Sequence, residues 1–336
     1  MLYNSTATAA RSAPGTYTLF EERASEWQKA HLLHQSVSAL VILASGFCSL
    51  AATCLKALCT STSKVPVAII DGYILPAWID ATVLVVAISP AGLSQELIYS
   101  LSEAADRHAP VWVITGSDGH LYDIAVAQGY PWMPMYCDTH HPIGEFVAAF
   151  WTLYGALGGL LGLPNENNAP KRTMFNALSL QSGYLSGDVN DAECPARLMS
   201  VALGESDIRI YASPGLMAAT ASVWKSIINV CGRLHADAYA FPSVEYDELI
   251  SWDQASVYSK HPGQRHKSVL FVRDAHDDPK VRERVENVRG RLASLDGSLN
   301  QHEIVAYGES DLERMWSALQ FGFWVAAYLA DVSGFS

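Results

Sequence analysis

Five short apolar runs recur between Ser38 and Met135: Ser38–Ala44, Val65–Ile70, Thr82–Ile88, Pro110–Thr115 and Tyr130–Met135. A strand with one wet face alternates apolar and polar residues, whereas a run that is apolar at nearly every position needs cover on both faces. Between the runs lie turns of small residues and helical stretches ending near Leu58, His108 and Gln128. Strand and helix in alternation predict a parallel sheet with right-handed crossovers. Residues 36–163 are therefore expected to form one doubly wound α/β domain.

A second alternating series follows. Asp207–Tyr211, Ala238–Phe241, Ser268–Arg273 and Glu303–Tyr307 read as strands. A long helix follows the first of them, and Asp278–Leu295 and Leu312–Ala330 read as further helices. This predicts a second domain over 199–336, joined by a polar linker at 164–198 with room for one helix. Residues 1–35 read as an N-terminal helical segment, amphipathic over 17–35.

Two domains suit a chain of 336 residues. Half of the residues are hydrophobic and 17% are charged, a composition suited to large cores rather than disorder. The formal net charge of −12 argues against nucleic acid or an anionic membrane as the main partner, because both require clustered Lys and Arg. Six cysteines contain no CxxC pair and no zinc-ribbon spacing, which predicts buried thiols in a cytoplasmic protein. The first fifteen residues lack the apolar core of a secretory signal. Phe146–Leu163 carries no charge and is just long enough to span a bilayer, but it is isolated, Gly-rich and unflanked by Lys or Arg. A buried helix is the expectation there.

In an open parallel sheet, ligands sit beyond the carboxyl ends of the strands, against the unpaired amides that open the helices. Three turns there offer hydroxyls: Ser45-Gly46-Phe47-Cys48-Ser49, Ser89-Pro90-Ala91-Gly92-Leu93-Ser94 and Thr115-Gly116-Ser117-Asp118-Gly119. Together they predict a phosphate seat, although each Ser or Thr could simply cap its helix. None is a P-loop or a dinucleotide fingerprint. His140-His141 lacks supporting ligands at helical spacing, so no metal is expected. Glu245-Tyr246-Asp247-Glu248 is an acidic turn that could supply a base or simply face solvent.

From about Val41 to Gly334 the chain resembles the bifunctional phosphoglucose/phosphomannose isomerases of the sugar isomerase (SIS) superfamily. The Gly-rich turn closing on a Ser is matched at Ser49, and the extended stretch after it at Tyr73, Leu75 and Pro76. The family's Ser-Tyr-Ser-Gly-Asn-Thr-Glu-Glu loop is matched by Ser89, Gly92 and Glu96, with Ser94 replacing the Thr and Ala91 the second Ser. An Arg-Trp-Lys-x-Gln-Ile-Asn-Glu helix is matched at Trp224, Lys225, Ile228 and Asn229. Pro242, Glu248 and Trp252 keep the frame of the next turn, and Tyr328, Leu329 and Ala330 that of the closing helix.

The resemblance implies two SIS-type, flavodoxin-like domains, a homodimer, and a phosphorylated sugar held at Ser49, Ser89, Gly92 and Ser94. It implies no cofactor. Aldose–ketose isomerisation moves a proton between adjacent carbons and needs a positioned base and acid. The family's Glu after the Trp-Lys motif is Val230 here, its His is Tyr246 and the Arg after its Pro is Ile143, and the sequence reaches Ser336 without the family's closing Lys segment. A phosphosugar-binding protein with weak or no isomerase activity is therefore expected, with no catalytic residue assigned. The alternative is an active isomerase with a relocated acid or base, for which Glu245, Asp247, His235 and Arg233 are the nearest candidates in sequence.

Overall fold

A computed structural model describes residues 6–13, 23–24, 27, 37–135, 137, 141–164, 178–186, 193–204, 206–252, 267–295 and 299–332. The chain divides into two compact units, Ser12–Phe175 and Met1–Arg11 with Asn176–Ser336.

The first unit runs β1 (Ala39–Ala44), α1 (Gly46–Cys59), β2 (Val67–Ile70), β3 (Val83–Ser89), α2 (Gln95–Asp106), β4 (Val111–Thr115), α3 (His120–Gln128), β5 (Trp132–Pro134) and α4 (Pro142–Leu157). All five strands pair in parallel in the order β2-β1-β3-β4-β5. Every residue of β1, β3 and β4 is buried, which is why these strands read as unbroken apolar runs. Val41, Leu43, Val85, Ala87 and Val113 pack on one face against Leu97 and Leu101 of α2 and Leu121 and Ala125 of α3. Each of the Val and Leu side chains contributes about 1.5–3 kcal/mol by leaving water. Helices α1 and α4 pack together.

The apolar run Phe146–Leu163 is a buried helix over most of its length: α4 is interior from Phe146 to Leu157. It stops at Gly158, and Gly162 turns the chain with φ +68°. No helix among the described residues is long and apolar enough to cross a membrane. The amphipathic helix expected over 17–35 falls largely outside the described residues.

The second unit runs α5 (Pro195–Leu203), β6 (Asp207–Ala212), α6 (Leu216–Val230), β7 (Ala236–Ala240), α7 (Ser243–Tyr246), β8 (Lys267–Asp274), α8 (Pro279–Leu295), β9 (Asn300–Ala306) and α9 (Asp311–Val332). Its four strands are parallel in the order β7-β6-β8-β9. Helix α9 is the spine of this unit. Its Trp324 donates to Ser182 Oγ at 3.2 Å, its Tyr328 to the Leu185 carbonyl at 2.9 Å, and its Gln320 to the Ala10 carbonyl at 2.9 Å. The helical residues 178–185 inside the expected linker, and the head of the chain at 6–11, thus pack on α9.

Candidate functional site

The strand order of the first unit reverses between β1 and β3, so a crevice is expected where the turns after those strands diverge to helices on opposite faces. There the turns meet through side chains. Ser45 Oγ lies 3.3 Å from Ser94 Oγ, and Ser89 Oγ lies 3.4 Å from Ser94 Oγ. Ser45 precedes α1 and Ser94 precedes α2, yet neither hydroxyl caps its helix. The amides of both first turns are left without side-chain partners, and each helix presents the positive end of its dipole. The capping explanation for these serines therefore does not hold.

Of the expected binding residues, Ser89 and Ser94 come together in this way, with Ser45 as a third member. Gly92 lies between them and adopts φ +63°, a conformation that favours glycine. Ser49 is half-buried in the opening of α1, and its hydroxyl makes no hydrogen bond among the described residues.

The turn after β4 is tied to the turn after β3. Thr115 Oγ1 donates to the Ser89 carbonyl at 2.8 Å, Gly116 N to the Pro90 carbonyl at 3.0 Å, and Leu121 N to the Gly92 carbonyl at 3.0 Å. Thr115 thus uses its hydroxyl on the scaffold. Between the two turns opens a cavity of about 420 Å³ lined by Ala91, Leu93, Ser117, Asp118, Met135 and Cys137, among others.

The retained motif residues of the second unit are mostly structural. Trp224 is fully buried and donates to the Ala318 carbonyl at 3.1 Å. Asn229 clamps the start of β7, accepting from Ala236 N at 2.7 Å and donating to the Ala236 carbonyl at 3.2 Å. Buried Glu248 accepts from Tyr211 OH at 3.0 Å, which in turn accepts from Trp252 Nε1 at 2.8 Å. Val230 and Tyr246 are 45% and 69% exposed. Among the four nearby candidates, Glu245 pairs with Arg284 and Asp247 accepts from Glu248 N at 2.7 Å. Arg233 takes a positive φ of 56°, and the His235 carbonyl accepts from Ile208 N at 2.9 Å. All four belong to the second unit.

His141 opens α4, its Nδ1 accepting from Ile143 N at 3.3 Å, while His140 lies outside the described residues. No cluster of three or more His, Cys, Asp or Glu among the described residues is placed to hold a metal ion.

One acidic residue escaped the sequence reading. Glu145, in the first turn of α4, accepts from Cys48 Sγ at 3.5 Å. Burial raises its carboxyl above the usual range, and the thiol hydrogen bond pulls it partly back. The apolar run that drew attention begins at Phe146, one residue later.

Residues 193–336 match the family model for the bacterial phospho-glucose isomerase C-terminal SIS domain. The chain is 22% identical over 302 residues to a bifunctional phosphoglucose/phosphomannose isomerase of Caldicellulosiruptor bescii, covering 89% of this chain and 85% of that protein. It is 24% identical over 277 residues to the Aquifex aeolicus protein of the same name, covering 80% and 77%. The fold is shared with the C-terminal domain of glucosamine-fructose-6-phosphate aminotransferase from Francisella tularensis, at 14% identity, a TM-score of 0.67, and 99% and 96% coverage. It is shared likewise with tagatose-6-phosphate ketose/aldose isomerase from Escherichia coli, at 12% identity, a TM-score of 0.67, and 100% and 94% coverage. Two parallel-sheet units, a C-terminal half that matches the SIS domain of bacterial phospho-glucose isomerases, and a likeness to bifunctional phosphoglucose/phosphomannose isomerases over most of its length support a divergent relative of that family.

Proposed function

We propose that the chain binds a phosphorylated sugar, with its phosphoryl group at Ser49, Ser89, Gly92 and Ser94 of the first unit, and isomerises it weakly or not at all. The observation that carries this reading is the meeting of Ser45, Ser89 and Ser94 hydroxyls at two helix openings that they do not cap. Hydroxyls and free amides around one point suit a phosphoryl group, whose oxygens accept several charge-assisted hydrogen bonds. The relatives' names point to glucose and mannose phosphates as the substrate class. Weak turnover follows from Val230 and Tyr246, since neither an alkyl group nor an exposed phenol replaces a positioned carboxylate or imidazole. A homodimer in the cytoplasm belongs to the same reading, and light scattering on the purified chain checks the dimer.

Melting the protein with and without hexose 6-phosphates tests the seat. A ligand at about 100 times its dissociation constant adds roughly 2.7 kcal/mol. A shift with little or no isomer interconversion supports the reading, while no shift with any hexose phosphate overturns it. Glu145 favours a second reading, an active divergent isomerase with a relocated acid or base, which rapid interconversion would establish.

A further inference from the structure

Resting on the phosphosugar seat proposed above, we propose that Glu145 is the acid–base group of this chain, the residue that takes a proton from the bound sugar and returns it. Helix α4 opens beyond the carboxyl end of β5, so its first turn stands at the same rim as the turns after β1 and β3. The Glu145 side chain meets Cys48 at 3.5 Å. Cys48 lies three residues after Ser45 and one before Ser49, all within the opening turn of α1. The carboxyl therefore meets the first turn of α1, the turn that Ser45 opens and that also holds Ser49. From Ser45 the line continues to Ser94 at 3.3 Å and on to Ser89 at 3.4 Å.

The surroundings suit proton transfer. No Arg or Lys pairs with Glu145 among the described residues. Cys48 is a buried thiol whose own ionisation is suppressed by burial and by Glu145 and Cys137. His141 turns its Nδ1 to the Ile143 amide of its own turn. A half-buried carboxyl held above the usual range by desolvation is nearer the working pH of a general base than an exposed one.

The step balances on an opened aldose 6-phosphate. The C2 proton passes to the carboxylate, the C–H pair forms the C1–C2 double bond, and the carbonyl pair moves to O1. The O2 proton then passes to O1, Glu145 returns its proton to C1, and C2 becomes the carbonyl. No oxidant or co-reactant enters. With the other family groups replaced, this route is slow, which matches weak turnover.

Exchange of the sugar C2 and C1 protons with solvent deuterium, followed by proton NMR, reads this step even where net isomerisation is small. Glucose 6-phosphate and fructose 6-phosphate are the probes, and melting with the same sugars reads binding separately. Wild type should exchange, and Glu145→Gln should lose at least about a hundredfold of the rate while keeping its melting shift. Cys48→Ala should keep exchange but move its acid limb to higher pH, because the thiol holds the carboxyl down. Binding without exchange, or exchange that survives Glu145→Gln, overturns the assignment and leaves the seat standing. No binding overturns the seat itself. If Glu145→Gln does not fold, an unmoved acid limb in Cys48→Ala overturns the assignment.

Discussion

The indole of Trp224 lies so close to Gly322 that a Cβ on that glycine would stand 2.4 Å from the ring. The same indole donates to the Ala318 carbonyl one turn earlier on α9, so ring and helix backbone are locked together. The Trp of the family's helix motif is a keystone between α6 and α9. Gly322→Ala should therefore destabilise the protein by about 1–3 kcal/mol through overpacking, since neither a buried Trp nor a helix backbone yields easily. Urea unfolding measures it; a loss below about 0.5 kcal/mol would mean the contact relaxes freely.

Trp224 also marks how far the sequence could be read. The motif around it was visible, but its purpose was not, because a spacing pattern looks the same whether it builds a core or a site. Strands β1, β3 and β4 were legible because burial on both faces leaves unbroken apolar runs. Edge strands were harder. Strand β9 begins at Asn300, three residues before the expected start, because its first residues are polar and only partly buried. Strand β7 begins at Ala236, two residues early, because the charged, partly buried Asp237 interrupts the apolar run after a buried alanine. The serine turns were visible one by one, but their meeting depends on strand order, and hydroxyls 45 and 94 lie 49 residues apart. Glu145 was missed because its partner Cys48 is 97 residues away and nothing local flags the pair.

Ser94→Ala should weaken hexose 6-phosphate binding without weakening the fold. A hydrogen bond to a charged group is worth about 1.5–3 kcal/mol, which is roughly ten- to hundredfold in dissociation constant. The Ser94 hydroxyl does not cap α2, so the ligand-free melting temperature should stay near that of wild type. Titration calorimetry and melting of the same preparation separate the two effects. A lowered melting temperature with unchanged affinity would make Ser94 a structural residue.

Gly119 sits where the turns after β3 and β4 touch. It takes φ +96°, and a Cβ would lie 2.7 Å from the Ala91 carbonyl oxygen. Backbone cannot move aside as a side-chain tip can, so Gly119→Ala must separate the turns. The expected result is a loss of about 1–3 kcal/mol in stability, together with weaker phosphosugar binding at Ser89 and Ser94. A variant that unfolds earlier but binds at wild-type affinity would show that the seat does not depend on this junction.

The cysteines should differ sharply in reactivity. Cys48, Cys54, Cys59, Cys194 and Cys231 are buried, and burial raises the thiols of Cys48, Cys54 and Cys59 and pushes Cys231 up to about 11. The thiolate is the reactive form, so these four raised thiols should resist alkylation in the native state, and burial alone shields Cys194 from the reagent. Cys137 is partly exposed and lines the cavity beside the serine turns. Native iodoacetamide labelling, read by peptide mass, should reach Cys137 first, and a bound hexose phosphate should slow it. Labelling spread evenly over the six would contradict the burial.

The Asp277 side chain is 5% exposed near Arg273 and accepts from Ser213 Oγ at 2.6 Å. Burial raises its carboxyl above the usual value, and the Ser213 hydrogen bond and Arg273 only partly offset this. A carboxyl raised in the folded state holds its proton longer there than in the unfolded chain. Its contribution is therefore fully present below the unfolded value and is lost as pH rises through the folded one. Asp277→Asn removes this titration while keeping a side chain of the same shape for Ser213. The stability of wild type relative to Asp277→Asn should accordingly fall as pH climbs from the usual carboxylate range through the raised value, and level off above it. Urea unfolding of both proteins across that window measures the difference. A relative stability that instead rises with pH would mean that Arg273 and Ser213 outweigh burial and hold the carboxyl below its usual value.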